Sequence, residues 1–213
     1  MKSAGNDIVA LNVIDKQRTC QPVFYSKFIT PFELGLYRQP QMPFDIFVWL
    51  LWSVKESAFK YLKKGDANLV FSPSKIIVQD IEVALEFAGD RWEGDQSVAS
   101  FFKGSILYDM HTLYFKSVIH AEFIATVVDG ENTFQHVYWG VQLINESDSV
   151  SQSEAVRLFV LNKLNSLFPN HALSIDNGLA GYPILFNNGK EMDIPISFSH
   201  HNRYVSYSFL NLK

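Results

Sequence analysis

The amino-acid sequence predicts a mixed α+β fold in which a strand, helices and further strands follow one another twice. Short runs rich in β-branched and aromatic residues predict the strands, and two longer runs with apolar periodicity predict the main helices. Proline, glycine and polar clusters separate these runs, as is typical of turns and loops. Because the same order occurs in both parts of the chain, we expect a degenerate internal duplication with a longer first half.

The first half is predicted to begin with a strand and two helices. β-Branched residues predict a strand over Asp7–Ile14. Thr30 is a suitable cap for a short helix with Pro31 in its first turn. A long helix follows a proline-rich break, with Asp45 as its predicted cap and Gly65 as its predicted stop.

The remaining chain is predicted to be mainly strands around one amphipathic helix. Ser153 is the expected cap of that helix, which extends to Phe168. His201 and Asn202 are the expected turn of a closing hairpin. The predicted strands cover 74–87, for which a partly helical alternative stays open, and 104–115, 117–128, 134–144, 181–186 and 194–210.

The composition limits the classes of function. Hydrophobic residues make up 47% of the 213 residues and charged residues 19%, so the chain can bury a core and is not a disordered protein. A net charge of -4 argues against a general affinity for nucleic acid. A single cysteine excludes an internal disulfide and a cysteine-rich zinc site, and it favours a reducing compartment. We therefore predict a cytoplasmic protein.

Neither a signal peptide nor a membrane span is expected. In the N-terminal segment, a polar Asn-Asp pair precedes any long apolar run. The longest apolar run, Ile46 to Trp52, is far shorter than the ~20 residues that cross a bilayer. The length allows one large domain or two fused small ones, and we place the two halves at 1–130 and 131–213.

Two acidic residues allow both an ordinary and a functional interpretation. Asp7 lies at the start of the predicted strand, either as a solvated terminal residue or as a ligand for a hard cation. Glu56 and Lys60 lie four apart on one face of the long helix, where a surface ion pair is the common outcome. The aromatic residues Trp52 and Phe59 beside them make full solvent exposure of this helix face less favourable. The pattern alone leaves both interpretations open.

The closing hairpin gathers hydrogen-bond donors. Ser197, Ser199, His200, His201 and Arg203 fall within a few residues of one another. Such a cluster suits a phosphate, although a histidine at a strand end is more often structural or simply exposed. The cluster is therefore a candidate anion site.

Together these elements resemble the phosphopantetheinyl transferases, the group of holo-acyl-carrier-protein synthase and the surfactin-type enzymes. The family's Gly-x-Asp-Ile signature is present from Gly5 to Ile8, and its Trp-x-x-Lys-Glu-Ser-x-x-Lys signature from Trp52 to Lys60. The hairpin from Ser199 to Val205 resembles one of the surfactin-type enzymes, where it precedes the Gly-x-Asp signature instead of following it. The halves therefore resemble family halves exchanged in order, or a fusion of two short synthase units.

The resemblance implies a fold and an activity. We expect a pseudo-duplicated phosphopantetheinyl transferase-like fold, each half an antiparallel sheet packed with helices, with the active site between the halves of a monomer. The family transfers the phosphopantetheine arm of coenzyme A to a serine of an acyl or peptidyl carrier protein and releases adenosine 3',5'-bisphosphate. The alternative is a non-catalytic descendant that binds coenzyme A or a carrier protein.

The resemblance also implies roles for individual residues. Asp7 and Glu56 would bind Mg²⁺, and Glu56 would take the proton of the acceptor serine. Lys60 would stabilise the leaving group. The residues expected to bind coenzyme A are Lys55, Ser199, His200 and Arg203.

Four positions bear on this expectation. Val9 stands where many larger family members have a third acid, so that water would complete the metal shell. Tyr182, within Gly181-Tyr182-Pro183, stands where the family usually has a lysine, and we do not expect it to bind phosphate. Lys16 and Arg18 lie where short synthases bind the carrier protein, although a solvated loop is an equal alternative.

Overall fold

The computed structural model describes residues 3–38, 41–85, 91–94, 99–178 and 181–211. Its helices are α1 (Lys16–Thr19), α2 (Pro22–Tyr25), α3 (Pro31–Leu36), α4 (Phe44–Lys63) and α5 (Ser149–Leu167), with 3-10 turns at Leu11–Val13 and Pro73–Lys75. Its strands are β1 (Gly5–Ala10), β2 (Ile77–Val78), β3 (Glu82–Ala84), β4 (Arg91–Glu93), β5 (Ala99–Tyr108), β6 (His111–His120), β7 (Phe123–Asp129), β8 (Val137–Leu143), β9 (Leu173–Asn177), β10 (Pro183–Asn187), β11 (Lys190–Glu191), β12 (Ile196–His201) and β13 (Tyr204–Leu210).

The strands form sheets in which nearly all neighbours are antiparallel. The first sheet has the order β1-β7-β6-β5-β2, and β3 also pairs with β5. The second sheet has the order β12-β13-β8-β4, in which β4 and β8 run parallel. A small sheet, β11-β10-β9, completes the second part of the chain. The predicted α+β fold class is confirmed.

Alternating side chains of the first sheet divide it between two cores. Val9 of β1 packs against α4, which buries its own Val54 and Ala58 completely. Ile8 and Ala10 point the other way and pack with residues of the second sheet, among them Trp139. The second sheet in turn buries its outer face under α5. The core is thus layered as helix, sheet, sheet and helix, and apolar burial of this kind is the main stabilising contribution.

Gly5 lets β1 approach α4 closely. A Cβ atom at this position would lie 2.6 Å from the backbone nitrogen of Tyr61 and closer still to the carbonyl oxygen of Ser57. Side-chain atoms do not approach backbone atoms so closely, so only glycine fits here. The first residue of the Gly-x-Asp signature therefore sets how near the following aspartate lies to the helix.

The two halves have a similar element order. In the first, β1 is followed by α4 and by the hairpin β6-β7, whose second strand pairs with β1. In the second, β8 is followed by α5 and by the hairpin β12-β13, whose second strand pairs with β8. This order is the one that the expected duplication requires. The duplication itself and the division at residue 130 stay predictions.

Several element boundaries differ from the predicted ones. β1 ends at Ala10, because the chain turns into a 3-10 helix there. Pro43 is the N-cap residue of α4, and Asp45 lies in its first turn. Helix α5 begins before Ser153 because the Asp148 carboxylate accepts hydrogen bonds from two amides of its first turn. The hairpin turn consists of Asn202 and Arg203, with Asn202 in the left-handed region.

Two further points concern the predicted elements. The end of the predicted strand 74–87 lies outside the described residues. The described part of that segment forms two short strands and no α-helix. Within the described ranges, no helix is both long enough and apolar enough to span a membrane.

Candidate active site

Asp7, a residue of β1, is buried where this strand contacts α4 and β12. Its side chain points to α4, the same side of the sheet as Val9, as strand alternation requires. Asp7 Oδ1 accepts hydrogen bonds from Ser199 Oγ at 2.9 Å and from Lys60 Nζ at 3.1 Å. Asp7 Oδ2 is buried and has no hydrogen-bond partner among the described residues. A buried carboxylate oxygen without a partner is costly, so it marks a position for a cation or a water molecule.

Glu56 and Lys60 reach the same place from successive turns of α4. Both line the large cavity that Asp7 also lines. Burial and the nearby negative charge of Asp7 raise the pKa of Glu56 above its usual value. The ammonium of Lys60 and a hydrogen bond that the Glu56 carboxylate accepts from the Trp52 side chain partly offset this rise in the pKa. Glu56 and Lys60 are therefore not an ordinary surface ion pair.

The cavity has a volume of about 760 Å³ and two chemically different ends. Its polar end consists of Asp7, Glu56, Lys60 and the imidazole of His200. Its aromatic end is formed by Phe24, Phe28, Trp49 and Trp52, and Arg18 and Lys27 also line it. Such a cavity has the size and the mixed lining of a site for a substrate with both an anionic and an apolar part.

Two neighbouring histidines of β12 line this cavity. Partial burial lowers the pKa of His200, and the nearby charge of Lys60 lowers it further. Burial also lowers the pKa of His201, whose Nδ1 accepts a hydrogen bond from the Ala10 amide at 3.0 Å. Both shifts favour the neutral imidazole, which is a hydrogen-bond donor at one nitrogen. Sequence reasoning assigned a role to His200 only, although both residues belong to the donor cluster that it identified.

Ser199 is close to Asp7 and is not free to bind a phosphate. Its hydroxyl donates to Asp7 Oδ1 and accepts from the Ile8 amide at 3.1 Å. A serine hydroxyl has one proton, so this geometry leaves none for a phosphate oxygen. The predicted coenzyme A contact of Ser199 therefore has no support from the hydrogen bonds of its hydroxyl.

Lys55 is a buried structural residue, contrary to its predicted contact with coenzyme A. Its side chain is 0% exposed and its Nζ lies 2.6 Å from Glu33 Oε1. The same ammonium donates to the carbonyl oxygens of Pro73 and Ile76 at 2.9 and 2.6 Å. Its three protons are thus used within the protein. Lys55 joins α4 to the segment that leads into β2.

Glu33, which the sequence did not single out, is the centre of this buried network. Its Oε1 accepts from the Val78 amide, and its Oε2 accepts from the amide and the hydroxyl of Thr30. Thr30 Oγ1 in turn accepts from the Glu33 amide, so α3 begins with a capping box. The capping pattern was visible in the sequence, but the partnership of Glu33 with Lys55 depends on tertiary packing.

Arg203 and Tyr182 lie away from the polar end. Arg203 is exposed, donates from Nε to the Ile144 carbonyl at 2.9 Å, and does not line the large cavity. Its predicted contact with coenzyme A is therefore not supported by its position. Tyr182 lines a neighbouring cavity of about 220 Å³, which also includes Lys60, Lys63 and Lys64. The two cavities meet at Lys60 and Phe198.

The donor set fits a hard divalent ion. Asp7 and Glu56 supply two carboxylates, and Asp7 Oδ2 is the buried oxygen that lacks a partner. Among the described residues, no group of three or more His, Cys, Asp or Glu side chains is gathered for a metal. Mg²⁺ matches this arrangement, because it commonly takes one or two carboxylates and completes its shell with water and substrate phosphates. Val9 lines the cavity where a third acid would otherwise stand.

The comparison with known families agrees with this geometry. The family model described as 4'-phosphopantetheinyl transferase superfamily matches residues 3–105, almost half of the chain. The match includes β1 with Asp7 and the whole of α4, and it ends before the closing hairpin. None of the curated proteins matches the chain. Over residues 3–105 the chain is therefore similar to the 4'-phosphopantetheinyl transferase superfamily.

Proposed function

We propose that this chain transfers the phosphopantetheine arm of coenzyme A to a serine of an acyl or peptidyl carrier protein and releases adenosine 3',5'-bisphosphate. The superfamily match supports phosphopantetheine transfer in general. The observation that carries the specific proposal is the convergence of Asp7, Glu56 and Lys60 at one end of a large cavity. Asp7 and Lys60 come from different elements and are in direct contact there.

Asp7 and Glu56 are the proposed ligands of Mg²⁺. These two carboxylates would hold the ion, and its positive charge would offset the negative charge that develops as a P–O bond breaks. Asp7 Oδ2, which has no partner among the described residues, and the raised pKa of Glu56, which burial and the charge of Asp7 cause, both support a site where negative charge lacks full compensation. A divalent cation supplies the missing compensation.

Glu56 and Lys60 have separate roles in the proposed reaction. The serine oxygen of the carrier attacks the phosphorus attached to pantetheine, and the bond from that phosphorus to the bridging oxygen breaks. Glu56 accepts the serine proton, directly or through a water molecule. Lys60 compensates the negative charge on the leaving adenosine bisphosphate.

The remaining cavity walls suit the rest of coenzyme A. His200 lines the polar end, where it donates to a phosphate oxygen in the proposed complex. The smaller cavity beyond Lys60 contains Lys63, Lys64 and Tyr182 and has room for part of the nucleotide. The aromatic end offers an apolar wall to the pantetheine arm or to an adenine ring.

The partner is an acidic carrier protein in this proposal. Arg18 and Lys27 line the cavity, and Lys16 lies nearby on α1 with a largely exposed side chain. Val13 and Val23 add exposed apolar surface in the same part of the chain. A basic rim with apolar neighbours favours association with an acidic helical domain. The monomeric state and the cytoplasmic location stay predictions.

The proposal is tested by the intact mass of a carrier protein. The chain is incubated with coenzyme A, Mg²⁺ and carriers from fatty acid, polyketide and peptide synthesis. We expect one of them to gain the mass of a phosphopantetheinyl group, and we expect EDTA to prevent the gain. Glu56→Gln should abolish transfer, whereas Glu82→Gln, in a half-exposed ion pair with Lys103, should leave it intact.

The same experiment separates catalysis from simple binding. A non-catalytic descendant binds coenzyme A or a carrier in calorimetry, adds no mass to any carrier, and keeps its carrier affinity when Glu56 is replaced. That combination of results would contradict the proposed transfer.

A further inference from the structure

Strand β1 forms backbone hydrogen bonds with β7 along one edge. Along its other edge, its amides donate hydrogen bonds to side chains of β12. The pairing with β7 runs from Gly5 to Ala10. On the opposite edge, the Ile8 amide donates to Ser199 Oγ at 3.1 Å and the Ala10 amide donates to His201 Nδ1 at 3.0 Å. The two amide donors of β1 are two residues apart, and so are their side-chain acceptors, Ser199 and His201. This spacing matches the two-residue repeat of a β-strand.

The hydroxyl of Ser199 connects this edge to the carboxylate of Asp7. Because its oxygen accepts from the Ile8 amide, its proton points to Asp7 Oδ1 at 2.9 Å. Lys60 Nζ contacts the same oxygen at 3.1 Å. Asp7 Oδ1 is thereby held from two sides, and Oδ2 is left as the oxygen without a partner in the described structure.

The imidazole of His201 completes the same edge. Its Nδ1 accepts from Ala10, so the neutral ring carries its proton on Nε2. The ring is thus an acceptor for β1, three residues after Asp7, and it also forms part of the cavity wall. Without this acceptor the Ala10 amide would be a buried donor without a partner, since Ala10 is fully buried.

We propose that Ser199 and His201 are positioning residues, which hold β1 and orient Asp7 so that Oδ2 faces the divalent ion. They connect the end of the chain to a metal ligand near its beginning. Ser199 is in this assignment a partner of the ligand and not a contact of coenzyme A. The inference rests on the proposed function for the existence and identity of the ion.

The expected loss of metal affinity on replacing these residues can be taken from comparable metal sites. Residues that hydrogen-bond to a metal ligand typically change metal affinity about 10- to 100-fold when they are replaced. Ser199→Ala should therefore weaken metal binding about tenfold or more, with little effect on the affinity for coenzyme A measured without divalent ions.

The test measures Mn²⁺ binding and needs no catalysis. Mn²⁺ is titrated by electron paramagnetic resonance into the full chain with saturating coenzyme A and no carrier protein. Ser199→Ala and Ser199→Cys should raise the Mn²⁺ dissociation constant at least about tenfold, and Ser199→Thr, which keeps the hydroxyl, should restore it.

Ser206→Ala is the matched control. The hydroxyl of Ser206 accepts from Asn6 Nδ2 at 2.9 Å, so it is a buried link between β13 and β1 that does not touch Asp7. Its removal should lower the melting temperature to a similar degree as Ser199→Ala and leave the Mn²⁺ dissociation constant unchanged. This pair distinguishes positioning of the metal ligand from a general loss of stability.

His201 is tested by two amide substitutions of different length. His201→Asn places an amide oxygen near the position of Nδ1 and should keep Mn²⁺ affinity within about threefold of the wild type, because the Ala10 amide retains an acceptor. His201→Gln places its amide near Nε2, leaves the Ala10 amide unpaired and should weaken Mn²⁺ binding.

Two results would overturn the inference. The first is an unchanged Mn²⁺ dissociation constant in folded Ser199→Ala and Ser199→Cys together with a raised KM for coenzyme A, which would make Ser199 a substrate contact. The second is a wild-type chain that binds no Mn²⁺, which would overturn the proposed metal site as well. If the transfer assay fails while Mn²⁺ binding is normal, the proposed transfer reaction is contradicted, whereas the positioning role of Ser199 and His201 is not.

Discussion

Lys60 Nζ lies 3.1 Å from Asp7 Oδ1, so an ion pair joins helix α4 to strand β1 at the wall of the large cavity. The Asp7 side chain is only 6% exposed, and that of Lys60 is 24% exposed. The pair is therefore shielded from water on one side and open to the cavity on the other. This single contact places the proposed metal-binding carboxylate and the proposed phosphate-binding ammonium at the wall of one cavity.

Replacement of Lys60 by Gln should reduce transfer without unfolding the protein. The substitution removes the cation that is proposed to offset charge on the leaving group, and such donors typically contribute about 10²- to 10³-fold in kcat. The rate is measured as carrier mass gained per unit time at saturating coenzyme A. Lys103→Gln, at a half-exposed surface pair, is the control that should retain the wild-type rate.

Replacement of Gly5 by Ala should destabilise the fold. The added methyl group meets backbone atoms of α4 at Ser57 and Tyr61, which cannot move aside as a side chain can. Overpacking of this kind costs about 1–3 kcal/mol in the free energy of unfolding, measured in urea.

Gly35→Ala is the matched control for that experiment. A Cβ at Gly35 meets no atom within 4 Å, and the residue lies inside helix α3. It should stabilise the protein by about 0.5–1 kcal/mol, because alanine has the higher helix propensity. Equal effects of the two substitutions would contradict the close approach of β1 to α4.

Replacement of Lys55 by Met should act on stability. The change leaves the Glu33 carboxylate fully buried without its cation, and breaking a buried pair in this way costs about 3–5 kcal/mol. The double variant Lys55→Met/Glu33→Gln should recover part of that loss, because no buried charge remains. A wild-type free energy of unfolding together with a raised KM for coenzyme A would instead show that Lys55 binds substrate.

Lys64 should make stability depend on pH above neutrality. Its Nζ donates to the Ile196 carbonyl, and burial lowers the pKa of its amine to about 7 from 10.5. Between these values the unfolded chain binds a proton that the folded chain has lost, so the free energy of unfolding rises with pH. Partial exposure keeps the slope below about 1.4 kcal/mol per pH unit.

Lys64→Met isolates this contribution. Urea unfolding of the wild type and of the variant is compared at pH 7 and pH 9. The wild type should gain more free energy of unfolding over this interval than the variant, which lacks the amine. Parallel curves for the two proteins would show that Lys64 keeps its ordinary pKa in the fold.

The sequence was most informative where local pattern and geometry coincide. Strand alternation places Asp7 on the side of Val9, and helical spacing places Glu56 one turn before Lys60, so both patterns locate the polar end of the cavity. The capping signal of Thr30 likewise predicted the start of α3. These features depend on residues that are near one another in the chain.

The sequence was less informative where contacts join distant segments. The burial of Lys55 depends on Glu33 and on the carbonyls of Pro73 and Ile76, none of which its own helix reveals. The orientation of the Ser199 hydroxyl depends on a strand 191 positions away. The motifs therefore brought Asp7, Glu56 and Lys60 to one cavity wall, but the positions of Lys55 and Arg203 and the direction of each hydrogen bond required the fold.

In the proposed complex, Asp7 and Glu56 bind one divalent ion together with the diphosphate of coenzyme A. A crystal structure of the full chain with coenzyme A and Mn²⁺ tests it most directly, because anomalous scattering locates the ion independently of the refined side chains. We expect one anomalous peak about 2.0–2.2 Å from an oxygen of each carboxylate and in contact with phosphate oxygens. A peak elsewhere, or coenzyme A bound with both carboxylates outside the coordination sphere, would contradict the claim.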